Sequence, residues 1–144
     1  MARLNTPSPV VKTSACPCGS GKALTECCGP YLAGEARPES AERLMRSRYT
    51  AFTLEAYDYL RATWHPEHCP SDLGPDDPPP RWLGLRILAS SAGGPDDDQG
   101  TVEFVARYKI GGRAHRLHER SRFIRLEGHW VYVDGTFPAT RTTN

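Results

Sequence analysis

Apolar residues fall at helical spacing before residue 66 of this chain and alternate with polar ones after residue 80. Ala41, Leu44, Met45, Tyr49 and Phe52 lie on one face of a helix that the sequence predicts from Pro38, with Glu39 and Glu42 at its positive end. Arg48 falls inside that stripe. Thr53 is placed to cap a second helix running to about Trp64, with Tyr57, Leu60 and Trp64 on one face. His65-Pro66 ends it, because a residue before proline avoids the helical region. Pro66, Pro70, Pro75 and Pro78 to Pro80, with aspartates including Asp72, Asp76 and Asp77, mark a long loop. Strands are then predicted over Trp82 to Ser90, Thr101 to Ile110, Arg113 to Leu126 and His129 to Asp134. Gly111-Gly112 and Glu127-Gly128 are the tight turns between the last three. Two helices followed by a four-stranded antiparallel meander give an α+β fold: the helices pack on a curved, cone-like sheet whose concave face suits a ligand.

Side chains alternate along a strand, so the long third strand has two distinct faces. His115, Leu117, Glu119, Ser121, Phe123 and Arg125 form the face oriented toward the helices; Arg116, His118, Arg120, Arg122 and Ile124 form the other. A carboxylate facing the core is costly unless paired. Arg48 is the expected partner of Glu119, as a buried ion pair fixing helix to sheet. The alternative is a polar anchor or general acid/base at Glu119 within a pocket of Arg48, Tyr49, Trp64, His65, Ser121 and Phe123. The outer face, with Arg116, Arg120 and Arg122, is basic enough to meet RNA or an acidic protein, or to be a solvated face balanced by the acidic loops.

Composition adds bounds. The chain has 144 residues and a net charge of +1, which fits one domain or a domain with a small module, and names no partner by charge alone. No apolar run reaches the roughly 18 residues of a membrane span, and no apolar signal segment opens the chain. A cytoplasmic protein with no membrane association is expected.

Five cysteines are present, and four lie in the stretch CPCGSGKALTECCG. Cys16, Cys18, Cys27 and Cys28 offer four thiolates, the number a structural zinc site takes in a tetrahedron. Cys16 to Gly19 reads as a knuckle, Lys22 to Cys27 as one or two helical turns, and Gly29-Pro30 as their stop. Four thiolates would leave zinc no open position, so its role would be structural. A phosphate loop is excluded at GSGK, because Cys16 and Ala23 stand where glycine and Ser or Thr are needed. Redox chemistry at Cys18 or the vicinal pair, including a sensor that releases metal on oxidation, is the other reading. Cys69, in the proline loop, reads as an ordinary thiol. Residues 1–35 are thus expected to be an arm plus a zinc module, and 36–144 the cone-like domain.

CPCGSGKALTECC resembles the SEC-C motif, a zinc module named after the tail of the SecA translocation ATPase. That resemblance implies Cys16, Cys18, Cys27 and Cys28 as zinc ligands. RLMRSRYTAF, YLRATWHP and HERSRFIRLEGHWVYVDG resemble the YchJ family of small bacterial proteins. The likeness implies a middle domain similar to nuclear transport factor two and ketosteroid isomerase relatives. A second SEC-C motif, frequent at the C-terminus of such chains, is absent from this sequence. The family carries no established reaction. SecA-type tails contact other proteins, including the export chaperone SecB, so the resemblance implies a zinc-binding adaptor that docks a protein or ribosomal partner, with a cone that binds a second ligand or forms a homodimer. A small enzyme using the pocket around Glu119 and an RNA-binding protein are the alternatives.

Overall fold

A computed structural model describes residues 14–76 and 78–138. Most of the N-terminal arm and Asp77 lie outside them. The described elements are a 3-10 turn at Leu24–Glu26, α1 (Gly29–Leu32), α2 (Ala41–Leu54), α3 (Tyr57–Ala62), β1 (Arg81–Ala92), β2 (Gln99–Ile110), β3 (Arg113–Leu126) and β4 (His129–Thr136). The four strands form one antiparallel sheet in the order β1-β2-β3-β4, and α2 packs on β1, β2 and β4. Register shifts at Trp82/Gly84, Ile87/Ala89 and Arg122/Phe123 interrupt the ladders. Such bulges bend a strand and increase its twist, which curls the sheet around the helix.

The first helix starts three residues later than Pro38. Ser40 is its N-cap and accepts a hydrogen bond from Arg43 N at 3.2 Å. Its N-terminus is tied to the β1–β2 turn by Ala41 N to Gly93 O, 2.9 Å. Gly93 has φ +78°, and a β-carbon there would come within 2.8 Å of Ala41 Cβ, so both conformation and contact require glycine. The buried face of α2 carries Leu44, Met45, Arg48 and Tyr49.

The second helix differs from the sequence expectation. Thr53 is inside α2, where its hydroxyl donates to Thr50 O at 2.7 Å instead of capping a new helix. Glu55 takes the left-handed conformation, φ 58°, and its N–H and that of Ala56 return to α2 carbonyls. This closes the helix in the manner glycine usually does. α3 then holds six residues and ends at Ala62, short of Trp64. Trp64 instead makes a parallel bridge to Tyr132, and His65 N donates to Tyr132 O at 2.8 Å. The chain after α3 is thereby stitched to β4.

Leu44, Leu60, Val102 and Phe123 are fully buried. One continuous core joins Leu44, Met45, Tyr49, Phe104, Phe123 and Trp130 with Cys16, Cys18 and Cys28. The cysteine segment is thus packed against α2. Among the described residues, no helix is long and apolar enough to cross a membrane.

Candidate functional site

The cysteine segment is shaped by backbone bonds before any metal is considered. Cys16 N donates to Lys22 O at 2.8 Å, Gly19 N to Cys16 O at 3.1 Å, and Leu24 N to Ser14 O at 2.9 Å. Gly19, at φ +81°, supplies the left-handed turn of this knuckle. Helical structure between Lys22 and Cys27 is limited to the Leu24–Glu26 3-10 turn. Gly29 and Pro30 do not stop a helix here; they begin α1, with Cys28 as its N-cap. Proline suits a first turn, where its missing N–H has no helical partner to lose.

These two folds bring four sulfurs together. The Sγ atoms of Cys16, Cys18, Cys27 and Cys28 all lie within 4.8 Å of one another. Cys18 and Cys27 are 3.6 Å apart, and Cys27 and Cys28 3.9 Å. A tetrahedral ion with metal–sulfur bonds of about 2.3 Å needs sulfurs roughly 3.8 Å apart. The donor set and its spacing therefore fit a metal ion. Hydrogen bonding from Cys28 pulls the Cys18 thiol down to about 4, although burial opposes this. The Cys28 thiol is pushed up by the same contact and by burial, and that of Cys27 chiefly by burial. The cluster thus favours a thiolate and shares the remaining protons around it.

Two residues of α2 complete the surroundings. Arg46 Nη1 donates to Cys18 O at 2.9 Å and lies 3.9 Å from Cys18 Sγ, while its Nε pairs with Glu42 at 3.1 Å. Thr50 Oγ1 lies 3.5 Å from Cys16 Sγ. Positions 46 and 50 are one helical turn apart, so both face the sulfurs. They were not singled out from sequence; a hydroxyl and a cation one turn apart beside an apolar stripe were the available signal. Cys69 lies in the loop after α3, outside this group.

On the next face of α2 is a second feature, a cavity of about 180 Å³ between the helix and the sheet. Arg48, Tyr49, Trp64, Glu119 and Ser121 line it; His65 and Phe123 do not. His65 turns its Nδ1 to Glu67 N at 3.1 Å, and Phe123 is fully buried edge-on to Tyr132. Tyr132 and Trp82 join the wall, and the strand shift at Arg122/Phe123 lies next to Tyr132 in the ladder.

Arg48 and Glu119 do not form the contact ion pair expected of them. Arg48 Nη1 donates to Leu60 O at 3.0 Å and Thr63 Oγ1 at 2.7 Å, and its guanidinium carbon lies 4.7 Å from the Trp64 ring centre and 4.9 Å from that of Tyr132. Burial pushes Arg48 down to about 10. Glu119 Oε2 accepts from Ser121 Oγ at 2.8 Å and Tyr132 OH at 2.7 Å. Burial, and then that bond to Glu119, keep the Tyr132 hydroxyl protonated above its usual range. Neutral donors and aromatic faces thus replace the direct pair. The carboxylate also has a place cut for it, since a β-carbon at Gly135 would overlap it.

The outer face of β3 carries Arg116, His118, Arg120 and Arg122. Glu103 accepts from His118 Nε2 at 2.7 Å and from Arg120 at 3.2 Å, while Asp134 holds Arg122 through two bonds of 2.7 and 2.9 Å. Arg116 is exposed and lies across the ladder from Arg107. Carboxylates on the same face therefore neutralise much of its positive charge.

Comparison with known proteins places both parts. Residues 40–135 match the family described as YchJ, middle NTF2-like domain, and residues 13–30 match the SEC-C motif. A UPF0225 protein of Ralstonia nicotianae is 54% identical over 143 residues, covering 92% of this chain and 95% of that protein. The solution structure of a SEC-C motif containing protein from Rhodopseudomonas palustris is similar with a TM-score of 0.74 and 42% identity, over 85% of this chain and 98% of that one. The crystal structure of a SEC-C motif containing protein from Psychrobacter arcticus gives a TM-score of 0.70 and 25% identity, over 90% and 85% of the two chains.

Proposed function

The chain belongs to the YchJ-like family of SEC-C motif proteins, and on that premise we propose that it is a cytoplasmic zinc-binding docking protein. The observation that carries this reading is the four-sulfur cluster, with Sγ atoms within 4.8 Å of one another. Thiolates select zinc among the common divalent ions that prefer a tetrahedron of sulfur. Four thiolates fill the coordination shell, so zinc here would fix structure and leave no position for substrate.

Arg46 and Thr50 would set the cluster against α2. Arg46 places a cation beside sulfurs that together carry excess negative charge, and Thr50 offers a hydroxyl to Cys16. What such a centre holds rigid is the loop Gly19 to Lys22, which is exposed on its outer side. A rigid exposed loop binds a protein partner at lower entropic cost than a floppy one.

The test uses the zinc-loaded chain with a photo-crosslinking residue at Ser20, expressed in a bacterial cell. Discrete protein adducts are expected, and they should disappear when Cys27 and Cys28 are changed to Ser. Adducts that persist without the cluster, or none from Ser20, would remove the docking role. Zinc itself is read by elemental analysis of the purified chain.

A further inference from the structure

We propose that the cavity between α2 and the sheet is a binding site for a small, neutral aromatic molecule carrying a hydroxyl, a phenol-class ligand. This site is separate from the metal centre and from its docking loop. Its size is the first constraint. The cavity measures about 180 Å³, and an apolar cavity of about 150 Å³ is enough to hold benzene. One six-membered ring with a short substituent therefore fits.

The walls set the second constraint. Tyr49, Phe52, Trp82 and Phe104 are aromatic, and Met45 and Leu117 supply aliphatic surface. Tyr49 and Trp82 already meet edge to face at 5.7 Å. A third ring packs against such walls in the same edge-on or offset manner.

Unspent hydrogen-bonding capacity sets the third. Glu119 is 8% exposed and lines the cavity, yet only its Oε2 is bonded, to Ser121 and Tyr132. Its Oε1 has no protein partner among the described residues. Trp64 lines the same cavity, and its buried indole N–H is unpartnered as well. The buried donor left open costs free energy that a ligand or water must recover, and Oε1 offers an acceptor in the same lining. A hydroxyl can donate to one and accept from the other; a hydrocarbon can serve neither.

Charge sets the last. Arg48 and Glu119 occupy one lining, so the site is close to neutral overall. A carboxylate ligand would find one end of the Arg48 fork spent on Leu60 O and Thr63, and would face Glu119. An ammonium ligand would face Arg48. The neutral hydroxyl avoids both penalties.

The experiment is an amide and indole N–H chemical-shift titration of the zinc-loaded full chain with phenol, toluene and benzoate. Phenol is expected to move the signals of Ser121, Tyr132 and the Trp64 indole N–H saturably. Toluene, of nearly the same size without the hydroxyl, should bind at least tenfold more weakly, and benzoate more weakly still. Glu119→Gln should weaken phenol at least tenfold and leave toluene unchanged. Ala106→Leu, which fills the cavity with an apolar side chain, should abolish both. Should that variant not fold, Leu117→Phe serves the same purpose. Toluene binding as tightly as phenol would overturn the proposal, since the polar groups would then play no part. It would equally be overturned if no probe shifted the cavity signals, the space then holding only water, or if phenol still bound to the filled variants.

Discussion

Among the described residues Arg48 is a buried cation without a contacting carboxylate, so replacing it with methionine measures what its neutral partners contribute. Arg48 is 3% exposed. It donates to Leu60 O and Thr63 Oγ1 and lies against the rings of Trp64 and Tyr132. Hydrogen bonds from a charged donor contribute about 1.5–3 kcal/mol each, and a desolvated cation–π contact about 2 kcal/mol. Against these stands the cost of burying the charge, visible in the push of Arg48 down to about 10. Methionine escapes that cost and keeps most of the packing. The net loss for Arg48→Met is therefore about 3 kcal/mol, the part of the hydrogen-bond and ring contacts that the relieved burial cost does not offset. With a urea dependence of about 2 kcal/mol per molar, the unfolding midpoint should fall by about 1.5 M. Tryptophan fluorescence reports it, because Trp64 packs on the substituted side chain. Arg48→Lys should recover less than half of the loss, because a point charge does not span the carbonyl of Leu60 and the hydroxyl of Thr63 together. A methionine variant within about 0.5 kcal/mol of the parent, inside the ordinary scatter of surface substitutions, would refute the reasoning.

Gly135→Ala should cost about 2 kcal/mol by evicting the Glu119 carboxylate from Ser121 and Tyr132. In the double variant with Glu119→Ala, the glycine substitution should cost much less, and additive losses in urea melts would contradict the overlap. Chelating the metal should weaken the whole chain, since Cys16, Cys18 and Cys28 share a core with Leu44, Tyr49 and Phe123. Thiolate-site metal binding of about 10 kcal/mol is comparable to the stability of an entire domain. A near-ultraviolet spectrum and melting curve unchanged by chelator would rule this out. The Asp134 carboxyl, held below its usual value by its bond to Arg122, stabilises the fold above the unfolded-state pKa, and that contribution is lost as pH falls through the lower folded value. Arg122→Ala should raise it back toward the ordinary aspartate range in a carbon-detected NMR titration; a carboxyl still depressed in the variant would point to another cause.

The strands were legible because their outer and inner residues alternate. Val102, Phe104 and Ala106 are buried on β2, and Glu119, Ser121 and Phe123 on β3. The break after Leu54 was not legible, because it rests on a glutamate in a conformation that usually marks glycine. The cysteine cluster could be read from spacing, since four thiols in thirteen residues have little else to do. Its setting could not. Arg46 and Thr50 reach the sulfurs only because the segment folds back onto α2, a long-range contact that no local pattern encodes. The pairing of Arg48 with Glu119 failed for a similar reason. Charge matching ignores Tyr132, Ser121 and the carbonyl of Leu60, which satisfy the two groups separately.

The claim that Cys16, Cys18, Cys27 and Cys28 together hold one zinc ion is tested most directly by native mass spectrometry combined with thiol alkylation. The account predicts one zinc per chain, with Cys69 alone modified in the loaded protein and the other four cysteines becoming reactive when the metal is stripped. A chain that carries no zinc after growth in zinc-replete medium, or whose four clustered cysteines alkylate as readily with the metal as without it, would contradict it.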